Sequence, residues 1–333
     1  MLQVCQLRCN ERLRLSQGRA VSRLTPLVRR STPPGSRQHL APCCIMLARM
    51  ALRRVGIALA LLSLIFVGGG QAAAPETAAQ AVDTEVLDRV LDLFVRDGLV
   101  YYSALRGERT VIDRLVSVLA EPSPGFARWP DDDRKAFWLN AYNVLVLQTV
   151  LEHYPIQGTS SSYPANSIRQ VPGAFELRRH RVAGREMTLD EMETGVIAEF
   201  GDPRLFLALG RGAVDSGRLR SESYTGIRLD RQLDEIVKEF ATTPRHVRLD
   251  PFGRALTVSA IFGWHEAEFV TVFADRGWTR SGRTALERAV LNLVEPNLFP
   301  SERAILAKNE FTLEYHEFDW RLNDLTGGRP SNR

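Results

Sequence analysis

Ser216 is the only plausible nucleophile that the sequence offers, and it stands in Asp215-Ser216-Gly217. A serine attacks a carbonyl group only when a positioned base removes its proton. Five histidines could supply that base: His153, His180, His246, His265 and His316. His265 is the best of them, although the adjacent Glu266 cannot orient it, because neighbouring side chains on a helix point apart. Asp, Ser and Gly are also the commonest turn formers, so a structural turn is the competing interpretation.

A metal site is the second chemistry that the sequence offers. His265 and Glu268 are three residues apart and would share one face of a helix. The stretch lacks the second histidine of the zinc pattern His-Glu-x-x-His. His316 adds a ligand type, but Glu317 beside it would face the other way on a strand. Because this ligand set is incomplete, we predict no metal site and no cofactor.

Five arginines crowd the stretch around and after Ser216. They are Arg211, Arg218, Arg220, Arg228 and Arg231. Guanidinium groups could bind an anionic ligand through paired N–H donors. The alternative is a solvated face in which they pair with Glu222 and Asp230.

Near the end of the chain, we expect Asp319 to be a buried carboxylate that pairs with one of these arginines. We expect the indole of Trp320 to lie in the core.

The element that would position these residues is an apolar stretch over residues 135–155. Asp131, Asp132 and Asp133 after Pro130 form a helix-start signal, and Pro155 ends the pattern. The stretch is apolar over much of its circumference, which predicts a central, largely buried helix. Asn140 and Asn143 share one face of it. Buried amides need partners, so they either tie loops to the helix or line a site.

The rest of the sequence alternates short helices and strands. Helical spacing or start signals occur over residues 86–96, 111–119, 230–240, 261–273 and 283–293. A further helix opens at Leu189-Asp190, with Asp190 as N-cap and Glu193 completing a capping box. We predict a hairpin over residues 175–189 that turns at Ala183-Gly184, and strands over 246–249, 256–258 and 311–318. The predicted fold is a mostly helical α+β single domain with a small antiparallel sheet.

The net charge of +4 conceals an uneven distribution. Residues 1–72 hold 11 of the 43 basic residues and only one acidic residue, Glu11, and the remainder carries a net charge of −6. The basic excess therefore belongs to a leader, and the composition argues against a nucleic-acid partner. All four cysteines (Cys5, Cys9, Cys43 and Cys44) also lie before residue 74, so disulfides and thiol chemistry are not expected in the processed chain.

The leader has the form of a secretory signal. Arg49, Arg53 and Arg54 precede an apolar run over residues 57–67, and small residues follow. We predict cleavage near Ala72 to Ala74 and a periplasmic or secreted location. The run is short for a membrane span, although an uncleaved anchor is the alternative. The expected organisation is a mis-assigned start or disordered extension at 1–45, a signal peptide at 46–74, a linker at 75–84, a domain at 85–325 and a tail at 326–333.

Four landmarks in the same order resemble the domain-of-unknown-function 547 family. They are residues 97–105, the central Ala-Phe-Trp-Leu-Asn-Ala-Tyr-Asn at 136–143, Leu-Asp-Glu-Met-Glu at 189–193, and Phe-Asp-Trp-Arg-Leu-Asn at 318–323. Typical members carry a histidine and a cysteine that together fit a thiol hydrolase. Here Phe206 stands where the family's His falls and Ser216 where its Cys falls. Arg211 and Thr194 likewise replace residues that are commonly Cys and His.

The resemblance therefore implies a degenerate member. We expect an exported, non-catalytic binding or interaction domain whose partner is a small molecule or an envelope protein, without a stable membrane span after cleavage. The alternative is a hydrolase of acyl or amide bonds that uses Ser216 and His265. The residues expected to bind a ligand are Asn140, Asn143, Arg211, Arg218, Arg220 and Asp319.

Overall fold

The computed structural model describes residues 84–250, 252, 254–277 and 281–327. The expected start extension, signal peptide and cleavage site, and most of the linker and tail, lie outside these residues. The predicted mostly helical α+β class is confirmed. None of the helices in the described part of the chain combines the length and the apolar character that a membrane crossing requires.

The α-helices are α1 (Thr84–Phe94), α2 (Tyr102–Leu105), α3 (Arg109–Ala120), α4 (Asp131–His153), α5 (Leu189–Glu191), α6 (Arg204–Leu207), α7 (Leu229–Thr242), α8 (Ile261–Trp264), α9 (Glu266–Phe273), α10 (Ala285–Val294) and α11 (Pro300–Leu306). A π-helix, Met192–Ile197, continues α5 directly. The strands are β1 (Val95–Arg96), β2 (Leu99–Val100), β3 (His180–Val182), β4 (Arg185–Met187), β5 (Val247–Leu249), β6 (Ala255–Val258) and β7 (Thr312–Tyr315).

The predicted central helix is confirmed as α4. It begins at Asp131 directly after Pro130 and runs for 23 residues. Fifteen of them are buried, so the helix is enclosed around most of its circumference. It packs against α3 and α7, and the core of the domain forms around it.

Three small sheets complete the fold. β1 pairs with β2 and β3 with β4 in antiparallel hairpins. The second hairpin turns at Ala183 and Gly184, as predicted, and both have positive φ, the left-handed conformation that such a turn requires. The third sheet has the order β5-β6-β7, in which β5 is antiparallel to β6 and β7 is parallel to it.

Two local predictions are corrected by the structure. The N-cap of α5 is Thr188 and not Asp190, because the Thr188 hydroxyl accepts the N–H of Glu191 and the Glu191 carboxylate accepts the N–H of Thr188. The helix predicted over residues 261–273 breaks at His265, which separates α8 from α9. Both corrections concern residues next to the site described below.

Candidate functional site

Glu193 is the centre of a buried polar cluster. One carboxylate oxygen, Oε1, accepts hydrogen bonds from the Arg211 guanidinium and from Nε2 of His265, the latter at 2.8 Å. The other oxygen, Oε2, accepts the hydroxyl of Tyr142 at 2.9 Å. All four residues are buried, and they come from α4, the π-helix, the loop after α6 and the junction of α8 and α9. The cluster therefore joins four separate parts of the chain.

The electrostatics keep Glu193 ionised. Burial opposes its negative charge, but the Arg211 charge and the hydrogen bond from His265 outweigh burial and lower the pKa of Glu193 to about 2. Burial and the neighbouring Glu193 charge raise the pKa of Tyr142 well above its ordinary value, so its hydroxyl stays a donor. The wider turn of a π-helix, a form that is frequent at functional sites, carries Glu193 here.

His265 is held on two sides. Its Nε2 faces Glu193, and its ring stacks on Phe206 with centroids 3.6 Å apart and planes 7° from parallel. Glu193 therefore orients His265 in the way that a catalytic acid orients a base. This pairing was not predicted from the sequence, because the spacing of Asp190 and Glu193 indicated a capping box and gave Glu193 a local role. The acid and the histidine are 72 residues apart in sequence.

Ser216 is not bonded to that histidine. Its hydroxyl oxygen accepts the backbone N–H of Arg211 at 3.0 Å and that of Ala213 at 3.3 Å. Within the described residues the hydroxyl makes no hydrogen bond to an imidazole. The backbone at the next residue, Gly217, packs closely against the backbone of Leu207. A Cβ added at Gly217 would lie 1.7 Å from the Leu207 carbonyl oxygen. The structure thus shows a turn, and it does not join the predicted pair of Ser216 and His265.

Ser216 instead lines a pocket of about 200 Å³. The pocket is bounded by the β1–β2 turn at Asp97–Leu99, the loop over residues 213–218, the C-terminal end of α7, and the segment before β5. The polar side chains on its wall are Asp97, Ser216, Arg218, Glu239, Thr243, Arg245, His246 and Asn323. Only Arg218 of these eight was among the residues expected to bind a ligand, and Ser216 was expected as a nucleophile.

His246 is the histidine that shares a pocket with Ser216. It is 5% exposed, and its ring stacks on Phe240 with centroids 4.0 Å apart. Its Nδ1 is buried and has no hydrogen-bond partner. Burial, the Arg245 charge and His316 lower the pKa of His246 to about 3, so the ring is neutral at pH 7. No spacing motif in the sequence singled this residue out.

The predicted arginine group is divided among several ion pairs. Arg211 binds buried Glu193, and Arg218 binds Asp97 at 3.1 Å and also Glu239. Arg220 binds Glu222 and Glu235 at 2.9 and 2.8 Å. Arg228 also binds Glu222, at 2.9 Å, and Arg231 lies 3.9 Å from Glu235. Asp230 pairs with Arg204 instead of this group, at 2.9 Å. Of the three predicted ligand-binding arginines, only Arg218 lines the pocket beside Ser216.

The two asparagines on α4 tie loops to the helix. Asn140 exchanges two hydrogen bonds of 2.9 Å with the backbone of Tyr224. Asn143 donates to the carbonyl of Ala208 at 3.4 Å and accepts the N–H of Gly210 at 2.8 Å. The small cavity beside them, about 10 Å³, has room for about one water molecule. Their geometry is that of structural clamps.

The expected pairing of Asp319 is wrong. Its carboxylate binds Arg321, two residues away, with Nε donating at 2.9 Å, and the backbone N–H of Arg321 also donates to it at 3.0 Å. Trp320 is only partly buried, and the Arg169 guanidinium lies 4.5 Å from its ring centroid.

The side chains considered as metal ligands are not brought together. His316 Nε2 lies 3.1 Å from the Asp215 carboxylate, apart from the Glu193 cluster. Among the described residues, no group of three or more metal-ligating side chains forms.

The comparisons with known proteins give one match. Residues 126–241 match a family model described as "Protein of unknown function, DUF547". The matched segment contains α4, the Glu193 cluster except His265, and Ser216, and it ends before Arg245 and His246. Neither the curated proteins nor the solved structures gave a match.

Proposed function

The chain belongs to the DUF547 family of proteins of unknown function, and we propose that it is a non-catalytic domain that binds a small molecule in the pocket beside Ser216. The observation that carries this proposal is the bonding of the Ser216 hydroxyl. Its oxygen is occupied by two backbone N–H groups, and no imidazole of the described residues accepts its proton. A serine without a positioned base is a weak nucleophile.

The histidine that shares the pocket with Ser216 is a poor substitute for the missing base. A general base works best when its pKa lies near the operating pH. Burial and the Arg245 charge lower the pKa of His246 to about 3, so its affinity for a proton at pH 7 is small. This favours binding over hydrolysis in the pocket.

In the described part of the chain, no Ser or Cys side chain is hydrogen-bonded to His265 of the acid–histidine pair. Glu193 orients His265, but Phe206 covers one face of the imidazole, and the Arg211 guanidinium binds the same carboxylate oxygen as the imidazole. A Cys thiol or a Ser hydroxyl within hydrogen-bond distance of that ring is what a hydrolase would need. We treat the pair as a structural remnant of the chemistry that the family resemblance implies.

The absence of hydrolysis can be tested with the purified chain and two serine variants. Hydrolysis of p-nitrophenyl acetate and of the matching p-nitroanilide is compared between the unaltered chain, Ser216→Ala and Ser221→Ala. Ser221 lies in the same loop, and its hydroxyl donates to the Val95 carbonyl, so it controls for the loss of a hydroxyl. We expect equal rates for all three proteins. Activity that disappears in Ser216→Ala but persists in Ser221→Ala would establish the hydrolase alternative.

Binding is tested separately, by NMR with mixtures of small polar metabolite-like compounds added to the ¹⁵N-labelled chain. We expect shift changes in the backbone amides of the pocket, at Ser216, Thr243 and His246. The amides of α11, which does not line the pocket, serve as the internal control. A screen in which no compound moves the pocket amides contradicts the proposal.

The proposal includes export, on the strength of the basic, apolar and small-residue sequence of the leader. The test is expression of the full chain in a bacterium, followed by fractionation and N-terminal analysis. We expect a periplasmic or secreted product that begins near Ala72 to Ala74. A cytoplasmic product that keeps residues 46–74 contradicts this part.

A further inference from the structure

We infer that the pocket beside Ser216 is selective for a small carboxylate. The inference rests on the proposed binding function and names the class of its ligand. The pocket presents hydrogen-bond donors that have no partner among the described residues, while its own carboxylates are already paired with Arg218. A ligand that supplies negatively charged acceptors completes such a site.

The first donor is His246. Its Nδ1 is buried without a partner, whereas its Nε2 is not among the buried unpartnered atoms, and we assign Nε2 as the nitrogen that faces the pocket that the residue lines. A buried neutral imidazole keeps its single proton where it can be hydrogen-bonded, because an unpaired N–H in a dry environment is costly. The proton therefore belongs on Nε2, and His246 offers an N–H donor to the pocket.

The second donor is Arg245, directly before His246. One of its guanidinium nitrogens donates to the carbonyl of Val214 at 2.9 Å, and both residues line the pocket. Within the described residues, no carboxylate lies within ion-pair distance of it. A guanidinium has five N–H donors, so most of them remain for a ligand.

The loop at Ser216 adds a third set of donors. The backbone N–H groups of Gly217 and Arg218 make no hydrogen bond within the described residues, and both residues line the pocket. The Ser216 hydroxyl accepts two bonds but donates none there. Unpaired backbone N–H groups and a hydroxyl are donors that anionic oxygen atoms accept.

The acids of the pocket do not offset these donors. Asp97 and Glu239 both bind the Arg218 guanidinium, so this group of three carries a net charge of −1. Arg245 adds a second positive charge to the wall, so a bound carboxylate would meet unpaired donors and no unpaired acid. A cationic ligand would find every carboxylate already paired.

The volume of the pocket limits the size of the ligand. At about 200 Å³ it is smaller than the roughly 300 Å³ at which pockets for drug-sized molecules begin. A short-chain organic acid fits this limit. Ile236 and Phe240 on the α7 side supply an apolar wall for a short hydrocarbon chain.

The test compares three probes of equal size and different charge on the full chain at pH 7: propionate, propionamide and propylammonium. The chain carries ¹⁵N-labelled histidine, so the two ring nitrogens of His246 report their protonation and any new hydrogen bond. We expect propionate alone to shift the Nε2 resonance and the pocket amides. We also expect the free protein to show the Nε2–H tautomer at His246.

Two arginine variants make the test specific. Arg245→Gln is expected to weaken propionate binding roughly tenfold, which is the scale of one hydrogen bond between charged groups. Arg248→Gln removes the same charge from an exposed position that does not line the pocket, and is expected to leave the affinity unchanged. Both positions are exposed, so neither variant disturbs the core.

Three results would overturn the inference. One is equal binding of propionamide or propylammonium, which would leave the binding domain standing and remove only the ligand class. Another is equal weakening by both arginine variants, which would reduce the effect to net charge. The third is a pocket that propionate does not perturb while compounds of the wider mixture do. If the wider mixture also leaves the pocket unchanged, the binding function fails with it.

Discussion

The imidazole of His265 lies flat against the ring of Phe206, with centroids 3.6 Å apart and planes 7° from parallel. Both rings are buried, Phe206 at 1% exposure and His265 at 5%. The family resemblance places a histidine at position 206. In this chain an apolar ring takes that place and shields one face of the imidazole from water, so the position contributes packing and no proton transfer.

Phe206→Ala is expected to lower the free energy of unfolding by about 3–5 kcal/mol, because it removes a fully buried aromatic ring and leaves a cavity. Urea unfolding followed by tryptophan fluorescence measures the loss. Phe299→Ala is the matched control, since Phe299 is 66% exposed and its replacement should change stability by less than about 0.5 kcal/mol. Equal losses in the two variants would mean that Phe206 is not packed as described.

The Glu193–Arg211 pair is expected to show strong coupling. Glu193→Gln or Arg211→Met alone leaves one buried charge without its partner, and each should cost about 3–5 kcal/mol. The double variant removes both charges, so its loss should be clearly smaller than the sum of the single losses. Unfolding of the four proteins of this cycle gives the coupling energy. Additive losses would contradict a direct buried ion pair.

We expect the folded protein to lose stability in mild acid, because two of its buried histidines resist protonation. Burial and a neighbouring arginine lower the pKa of His180 to about 4 and that of His246 to about 3, whereas both titrate near 6.5 when unfolded. Between pH 6.5 and about 4 the unfolded chain therefore binds protons that the folded chain does not. Stability is full above pH 6.5 and falls as the pH drops through this window.

The histidine contribution can be isolated with single variants. Near pH 5 each histidine should contribute a slope of up to about 1.4 kcal/mol per pH unit to the free energy of unfolding. His246→Gln and His180→Gln should each reduce the slope of the unaltered chain by that amount. Unfolding in urea at pH 7, 6 and 5 measures it, with the exposed Arg248→Gln as a control. An unchanged slope in His246→Gln would contradict a neutral buried imidazole.

The sequence was sufficient to predict those elements whose position depends on one local signal. The acidic run after Pro130 and the continuous apolar stretch determined α4, and Ala183-Gly184 determined the hairpin turn. These features depend on residues that are neighbours along the chain. The fold class followed from them. The parallel pairing of β7 with β6 joins residues more than fifty positions apart, and no local pattern indicated it.

The site was less accessible from sequence, because its partners are distant. No local sequence pattern connects Glu193, Arg211 and His265. Only the fold brings Arg211 and His265 to the Glu193 carboxylate. His265 was identified as the best base, but the sequence did not show that the helix breaks there or that Glu193 lies behind the ring. Arg245 was missed for the same reason, and His246 was named only as one of five possible bases and not as a pocket residue. Their neighbours in space are Ser216 and the β1–β2 turn.

The start of α5 offers a direct choice between the predicted and the observed N-cap. In the structure the Thr188 hydroxyl accepts the N–H of Glu191 at 3.1 Å, and the Glu191 carboxylate accepts the N–H of Thr188 at 2.9 Å. Thr188→Ala should therefore cost about 1 kcal/mol of stability. Burial and the nearby Glu193 charge raise the pKa of Asp190, so its negative charge is not favoured there.

Asp190→Ala should accordingly change the free energy of unfolding by less than about 0.5 kcal/mol. The two alanine variants remove side chains of similar size two residues apart, so each is the control for the other. Urea unfolding of both at pH 7 gives the comparison. A larger loss in Asp190→Ala would restore Asp190 as the N-cap. It would then place Glu193 in a capping box, and the carboxylate could not serve Arg211, His265 and Tyr142 at once.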